Sequence, residues 1–229
     1  MIDEKQDKNY YQKKFLSLIE EIDKRVEKPT LFLHACCGPC LTYPLSILIK
    51  HFKVTVGFFN PNIYPYEEYL KRLDTLKSFL TRYSQDQGVE IPLVVNEDDF
   101  LKYQHDFIKR KDDYEGGKTC LACHAYRMGL AYEYAYQNHF DYFTTVMTVS
   151  CKKPSKELNL IAEKLAKKYM GTEYLYSDFK KNDGQLKGIK IAKKYELYRQ
   201  DYCGCQPSLE ERKKIKEQRQ SENSLKSLG

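Results

Sequence analysis

The sequence predicts an α/β fold in which helices cover both faces of a parallel sheet. Short apolar runs of strand length alternate along the chain with longer segments of helical periodicity, the pattern of strand, crossover helix and strand. The 229 residues, 41% hydrophobic and 31% charged, suffice for one domain with a full core and argue against a wholly disordered chain. No apolar run approaches the ~18 residues of a membrane span, and the charged, periodic N-terminal stretch lacks the apolar centre of a secretory signal. The expectation is a soluble protein of the cytoplasm.

Each element follows from its local pattern. From about Tyr11 to Val26, the residues Phe15, Leu16, Ile19, Ile22 and Val26 recur at helical spacing, which predicts an amphipathic helix within residues 1–28. Thr30–Ala35 is short, apolar and bounded, a first strand. It runs into Cys36-Cys37-Gly38-Pro39-Cys40, after which Leu41–Phe52 reads as a helix with Pro44 in its opening turn, where a missing N–H is tolerated. Lys53–Phe59 is a second strand, broken by Asn60-Pro61-Asn62-Ile63-Tyr64-Pro65, and a long helix follows from Tyr66 to about Ser84. Val89–Val95 is a third strand and Asp98–Arg110 a helix, and a polar loop with Gly116-Gly117 leads to a helix holding Cys120 and Cys123. Then come a strand at Tyr142–Val146, a helix at Ser155–Tyr169, a short strand at Glu173–Tyr176 and a helix at Ile189–Tyr198. These units make residues 29–208 one Rossmann-like α/β domain without internal repeats, followed by a basic tail, 209–229, expected to fray after a turn or two. Right-handed crossovers put ligands at the carboxyl ends of the strands, where the first cysteine loop falls.

Eight cysteines in a reducing compartment read as metal ligands or redox groups before they read as structural disulfides. Cys120 and Cys123, three apart at a helix start, can face one metal, and the helix N-terminus eases the thiolate charge. A structural zinc needs a second pair, for which Cys36, Cys37 and Cys40 are the candidates. Adjacent cysteines suit a tetrahedral zinc knuckle poorly, whereas an iron–sulfur cube offers separate iron corners. The spacing therefore favours Cys36, Cys37, Cys120 and Cys123 as cluster ligands over a zinc site. Cys40 admits three roles: a ligand in place of Cys37, a ligand of a second metal, or packing. Cys203-Gly204-Cys205 either closes a strained, easily reduced disulfide of the redox-active type, or remains two ordinary thiols or ligands of a second site. Cys151 reads as a small apolar residue.

His34 reads as a packed, hydrogen-bonded strand residue before a ligand, and His124 as an exposed helix residue before a metal-tuning one. Asn60, Asn62, Tyr64, Glu68 and Arg72 follow the second strand and either line a polar pocket or serve a turn. Asp178-Phe179-Lys180-Lys181 and Tyr198-Arg199-Gln200-Asp201-Tyr202 set acids and tyrosines beside cations, with surface ion pairs as the plain alternative. Between Cys151 and Gln200 thirteen Lys or Arg face six Asp or Glu, in a chain whose net charge is +6. This basic stretch, interleaved with tyrosines, suits a phosphate backbone with an unstacked base, or equally a set of solvated helix faces.

Five ordered motifs carry a resemblance: His34-Ala35-Cys36-Cys37-Gly38-Pro39-Cys40; Phe59-Asn60-Pro61-Asn62-Ile63; Glu115-Gly116-Gly117-Lys118 with Cys120, Cys123 and Arg127; Asp178-Phe179-Lys180-Lys181; and Tyr198 to Cys205. Together, from about Leu31 to Ser208, they resemble the cobalamin-independent epoxyqueuosine reductases, the QueH family. The resemblance implies the last step of queuosine synthesis, in which an epoxide on the modified wobble base of a tRNA anticodon is reduced to an alkene with release of water. It implies a four-iron, four-sulfur ([4Fe-4S]) cluster on Cys36, Cys37, Cys120 and Cys123, and a redox-active disulfide between Cys203 and Cys205. It further implies a metal beside the cluster, expected to be iron, with Cys40 a candidate ligand, and an electron donor of unspecified identity. His124 departs from the aromatic residue expected there. The implied fold is related to the nucleotide α-hydrolase-like, PP-loop type sheet of tRNA-thiolating enzymes, but cysteines stand where their phosphate loop would be, so ATP is not expected. Protonation of the leaving oxygen needs an acid, for which Asp178 and Tyr202 are the candidates. Two other classes fit the residues: a zinc-stabilised RNA-binding module without catalysis, and a general thiol-disulfide oxidoreductase.

Overall fold

The computed structural model describes residues 7–96, 103 and 116–226. Strands β1 (Thr30–His34), β2 (Lys53–Phe59), β3 (Leu93–Asn96), β4 (Tyr142–Thr145) and β5 (Glu173–Tyr174) form a parallel sheet in the order β3-β2-β1-β4-β5. Helices α1 (Tyr10–Ile22), α2 (Gly38–Leu48), α3 (Tyr66–Gln87), α4 (Lys118–Gln137), α5 (Ser155–Ala166), α6 (Gly184–Lys194) and α7 (Gln206–Lys226) surround it, with a 3-10 turn at Val146–Val149. Helix α2 packs on α3 and α6, whereas α4 packs on α5 and on β1, β2 and β4, so both faces are covered. Leu31, Phe32 and Leu33 of the central strand are consequently fully buried. The expected α/β class with a parallel sheet is what the chain adopts.

Strand order reverses at β1: the chain winds outward through β2 and β3, then returns to the other side for β4 and β5. His34, the last residue of β1, pairs with Gly57 on one side and Thr145 on the other, which brings the carboxyl ends of β1 and β4 level. The crevice beyond them is the switch point at which open α/β sheets bind ligands.

Several boundaries differ from the local pattern. Helix α3 ends at Gly88, in the left-handed conformation at φ 63°, and an extended link then delays β3 to Leu93. Helix α2 starts at Gly38, so Pro39 occupies the first turn and Pro44 lies inside the helix. Helix α6 starts five residues earlier than its apolar spacing indicates. Its two glycines, poor helix formers in isolation, let it lie against α2: a Cβ at Gly188 would stand 3.2 Å from Thr42 Oγ1, which donates to the Gly188 carbonyl at 3.0 Å. Val26, assigned to the apolar face of the first helix, stands fully exposed beyond its end. The C-terminal segment is a helix to Lys226 rather than a fraying tail, with Arg212 and Lys216 both on Asp201. Except for Tyr103, the helix expected at Asp98–Arg110 lies outside the described residues. Among the described residues no helix is long and apolar enough to cross a membrane.

Candidate active site

The loop leaving β1 turns directly into α2, with Cys37 in an extended conformation at the helix N-cap. This places Cys36 and Cys37 before the helix and Cys40 in its first turn, so their three sulfurs lie within 4.8 Å of one another. Cys36 and Cys37 are buried, and their sulfurs are 3.9 Å apart. Such closeness couples their ionisation. Hydrogen bonds from Cys37 and Cys40 draw the shared negative charge onto Cys36, holding it well below the usual thiol range despite burial, while Cys37 is pushed up to about 12 and Cys40 well above its usual value.

The triad opens on a cavity of about 530 Å³ at the switch point. Cys36 lines it from the loop after β1 and Cys40 from the first turn of α2, Val149 to Lys153 from the segment after β4, Cys120 and His124 from α4, and Cys203 from the loop before α7. Cys120, in the first turn of α4, receives the Gly116 N–H at 3.3 Å. Cys123, one turn further on and buried, receives the Tyr103 hydroxyl at 3.2 Å. The four-thiol set expected from spacing is therefore split: among the described residues the mutually close group is Cys36, Cys37 and Cys40, and Cys120 meets two of them across the cavity wall.

These donors fit a thiophilic metal or an iron–sulfur centre. The converging ligands are all soft sulfurs, without a carboxylate in the group. Polar hydrogens also point at sulfur: besides those on Cys120 and Cys123, Gln200 Nε2 donates to Cys37 Sγ at 2.8 Å. Contacts of that kind tune such centres. Beneath lies Arg127, 1% exposed, which donates to Asn60 Oδ1 at 3.2 Å and whose Nε has no partner among the described residues. Burial opposes its charge, but the surrounding Cys123, Cys203 and Cys36 raise its affinity for the proton.

The CxC loop is held from a distance. Arg72, 2% exposed on α3, donates to the Cys203 carbonyl at 2.9 Å and the Tyr202 carbonyl at 3.3 Å, while its Nε binds Glu68 at 2.7 Å. Tyr198 closes the group by donating to Glu68 at 3.0 Å. The Tyr64 N–H donates to the Gly204 carbonyl at 2.7 Å. Gly204 has φ 134°, and a Cβ there would stand 3.0 Å from Arg72 Nη1, so both conformation and space require glycine. Cys203 faces the cavity; Cys205 packs against Ser208, and burial pushes its thiol up to about 11. Both thiols are free. Of the residues after β2, Tyr64, Glu68 and Arg72 thus scaffold this loop, Asn60 ties Arg127 to the Ala35 carbonyl, and Asn62 is buried with neither amide atom partnered among the described residues.

His34 is the packed residue expected: its ring nitrogens meet Thr145 Oγ1 at 3.1 Å and the Phe59 carbonyl at 3.2 Å, and burial lowers its pKa to about 3. His124 is buried on the cavity wall rather than exposed, its pKa lowered to about 2 by burial and by Arg127. Cys151 is an exposed rim residue, not a packed one. Asp178 is engaged by Ser155 Oγ at 2.8 Å and Lys180 at 3.1 Å and is not part of the cavity wall. Tyr202 does line the cavity, but its hydroxyl donates to the Tyr64 carbonyl at 2.6 Å. Neither expected acid presents a free proton to the cavity. Sequence reasoning passed over Lys153, Gln200 and Tyr103 as individuals; for Lys153 the available signal was its place just after a strand, at the sheet end where ligands bind.

Fold and site together define an α/β protein with a cluster of thiols at the sheet's switch point. The family model described as Epoxyqueuosine reductase QueH matches residues 31–211, and the chain belongs to that family. It is 33% identical to Epoxyqueuosine reductase QueH of Staphylococcus epidermidis over 208 residues, covering 88% of this chain and 85% of the relative. The Streptococcus pyogenes serotype M1 relative of the same name is 34% identical over 185 residues (80% and 71% covered), and that of Thermotoga maritima 27% identical over 184 residues (80% and 92% covered). Among solved structures, the U34-tRNA thiolase NcsA from Methanococcus maripaludis with its [4Fe-4S] cluster is similar at a TM-score of 0.45 and 14% identity, covering 88% of this chain and 69% of that one.

Proposed function

We propose that this protein is an oxidoreductase that reduces epoxyqueuosine to queuosine at the wobble position of a tRNA anticodon. Family membership supports the reaction, and one observation supports its seat: the cavity at the switch point is walled on one side by Cys36 and Cys40 and on another by Cys203 of the CxC loop. Its volume, about 530 Å³, falls within the ~300–1,000 Å³ of small-ligand sites, enough for one nucleoside swung out of an anticodon loop.

In this reading Cys36, Cys37, Cys120 and Cys123 hold a [4Fe-4S] cluster, and Cys40 is available to an iron beside it. When bound, the cluster supplies one-electron transfer. The chemistry of the chain itself balances as follows: Cys203 and Cys205 are oxidised to a disulfide and release two electrons and two protons. Both C–O bonds of the epoxide break, an alkene forms, and the oxygen leaves as water with two protons. An external electron donor then restores the dithiol. Asn60 and Arg127 brace the sulfur wall from below, and Arg72 holds the dithiol loop against it.

Helix α6 supplies the RNA-facing rim. Lys187, Lys190, Lys193 and Lys194 are exposed on it without an acidic residue in the helix, and Lys193 and the exposed Arg199 line the cavity mouth. Such a row neutralises phosphates on either side of an inserted base, at work in the cytoplasm where tRNA is modified. The test is to purify the protein without oxygen, measure iron, zinc and acid-labile sulfide, and supply a reductant and tRNA carrying epoxyqueuosine. About four iron and four sulfide per chain and conversion of the nucleoside to queuosine are expected. Zinc without sulfide, persisting after anaerobic reconstitution, would instead support a zinc-stabilised RNA-binding module.

A further inference from the structure

Opening an epoxide places negative charge on the departing oxygen, and the cavity must meet it with a hydrogen-bond donor already in position. The cations around the cavity can be sorted by what else they do. Arg72 is tied to Glu68 and to the carbonyls of the CxC loop. Lys152, Lys193 and Arg199 are exposed at the rim. Arg127 lies under the floor, bonded to Asn60 and in contact with Met147 Sδ. His124 is buried on the wall and carries no permanent charge. Lys153 differs from all of these. Its backbone N–H is fixed to the Ser150 carbonyl at 3.2 Å in the turn after the 3-10 segment, its side chain is half-buried in the cavity wall, and among the described residues its ammonium makes no hydrogen bond or ion pair.

We infer that Lys153 is the catalytic residue that contacts the epoxide oxygen and stabilises the charge it gains as the C–O bonds break. This rests on the reductase reading and adds to it a residue outside all five motifs that carry the family likeness. The wall around Lys153 fits the role. Its half-buried side chain shares the wall with Cys36, Cys40 and Cys203, so its ammonium brings three polar hydrogens to the part of the cavity where the sulfurs gather. An oxygen bound there is within the field of both sulfur groups that would deliver electrons. The ammonium stays charged throughout: the two protons that complete the water balance those leaving Cys203 and Cys205, and Lys153 contributes hydrogen bonds only. The charge is withdrawn from bulk water, where such a contact counts for most.

The test compares wild type with Lys153→Met and Lys153→Arg, each purified without oxygen and assayed for iron, sulfide, turnover on epoxyqueuosine tRNA, and affinity for anticodon stem-loops carrying either the epoxide or the product alkene. For Lys153→Met, iron and sulfide unchanged, kcat lower by about 10²-fold with KM within about twofold, and loss of any preference for the epoxide stem-loop over the alkene one are expected. Lys153→Arg should recover part of both. Turnover of Lys153→Met within threefold of wild type, or an undiminished epoxide preference, would overturn the assignment. So would loss of iron and sulfide in that variant, which would make Lys153 a support of the metal centre. Wild type with full iron and sulfide that left epoxyqueuosine unreduced would overturn the functional reading itself, a result distinct from an active wild type beside an equally active variant.

Discussion

The two sulfur-bearing walls of the cavity are built by opposite means. Cys36, Cys37 and Cys40 continue directly from the central strand into α2, and their positions follow from five consecutive residues and one helix start. Cys203 and Cys205 sit in a half-exposed loop that regular structure does not fix; Arg72, which donates to the Cys203 carbonyl, lies 131 residues earlier in the chain. The first wall is rigid by inheritance from the sheet. The second is held by a buried guanidinium on the Cys203 carbonyl and by the Tyr64 N–H on the Gly204 carbonyl, contacts that reach it from outside the loop.

The sharpest way to break this contrast is to remove one sulfur from each wall. Cys203→Ser should abolish multiple turnover while leaving iron and sulfide content unchanged, whereas Cys36→Ala should lose most of its iron; metal analysis alongside a tRNA assay distinguishes them. A Cys203→Ser protein that cycled at the normal rate would end the redox role of the loop. Next in size is Arg72→Met, which frees the Tyr202 and Cys203 carbonyls and leaves the half-buried Glu68 with Tyr198 as its partner. It should lower unfolding stability by about 1.5–3 kcal/mol in urea titration and reduce turnover without changing the metal content. If turnover survived, the loop would be held by something other than Arg72. Gly204→Ala adds a Cβ at φ 134° against Arg72 and should destabilise by about 1–3 kcal/mol, again with the metal retained. The smallest effect belongs to the rim. Lys193→Ala should weaken tRNA binding modestly and reduce the steepness of log affinity against log salt by about one, leaving turnover at saturating tRNA intact.

How much could be read in advance differed between these same regions. The strand-loop-helix around Cys36 was legible because an apolar run, a cysteine-rich turn and an amphipathic helix are all local patterns. The packed state of His34 was legible for the same reason, since a histidine in a buried strand must satisfy both ring nitrogens. The start of α6 was not, because Gly184 and Gly188 weaken the helical signal locally and are explained only by the close approach of α2. His124 and Cys151 exchanged their expected places, one buried and one exposed, because residues on a cavity wall obey neither core nor surface periodicity. Asp178 looked like an acid next to the CxC motif; in the fold Ser155 and Lys180 engage it instead.

By itself the sequence determined the α/β class, the family and the placing of the first cysteine loop at the carboxyl end of a strand, since each depends on residue type and short-range spacing. Only the tertiary structure decided which thiols converge, which acids are already engaged, and that Lys153, from the segment after β4 and without a side-chain partner among the described residues, lines the same cavity as the sulfurs beyond β1. The reason is topological. Strands β1 and β4 are neighbours although 107 residues separate the end of one from the start of the other, and parallel pairing across a reversal of strand order brings to one crevice groups that no local pattern relates.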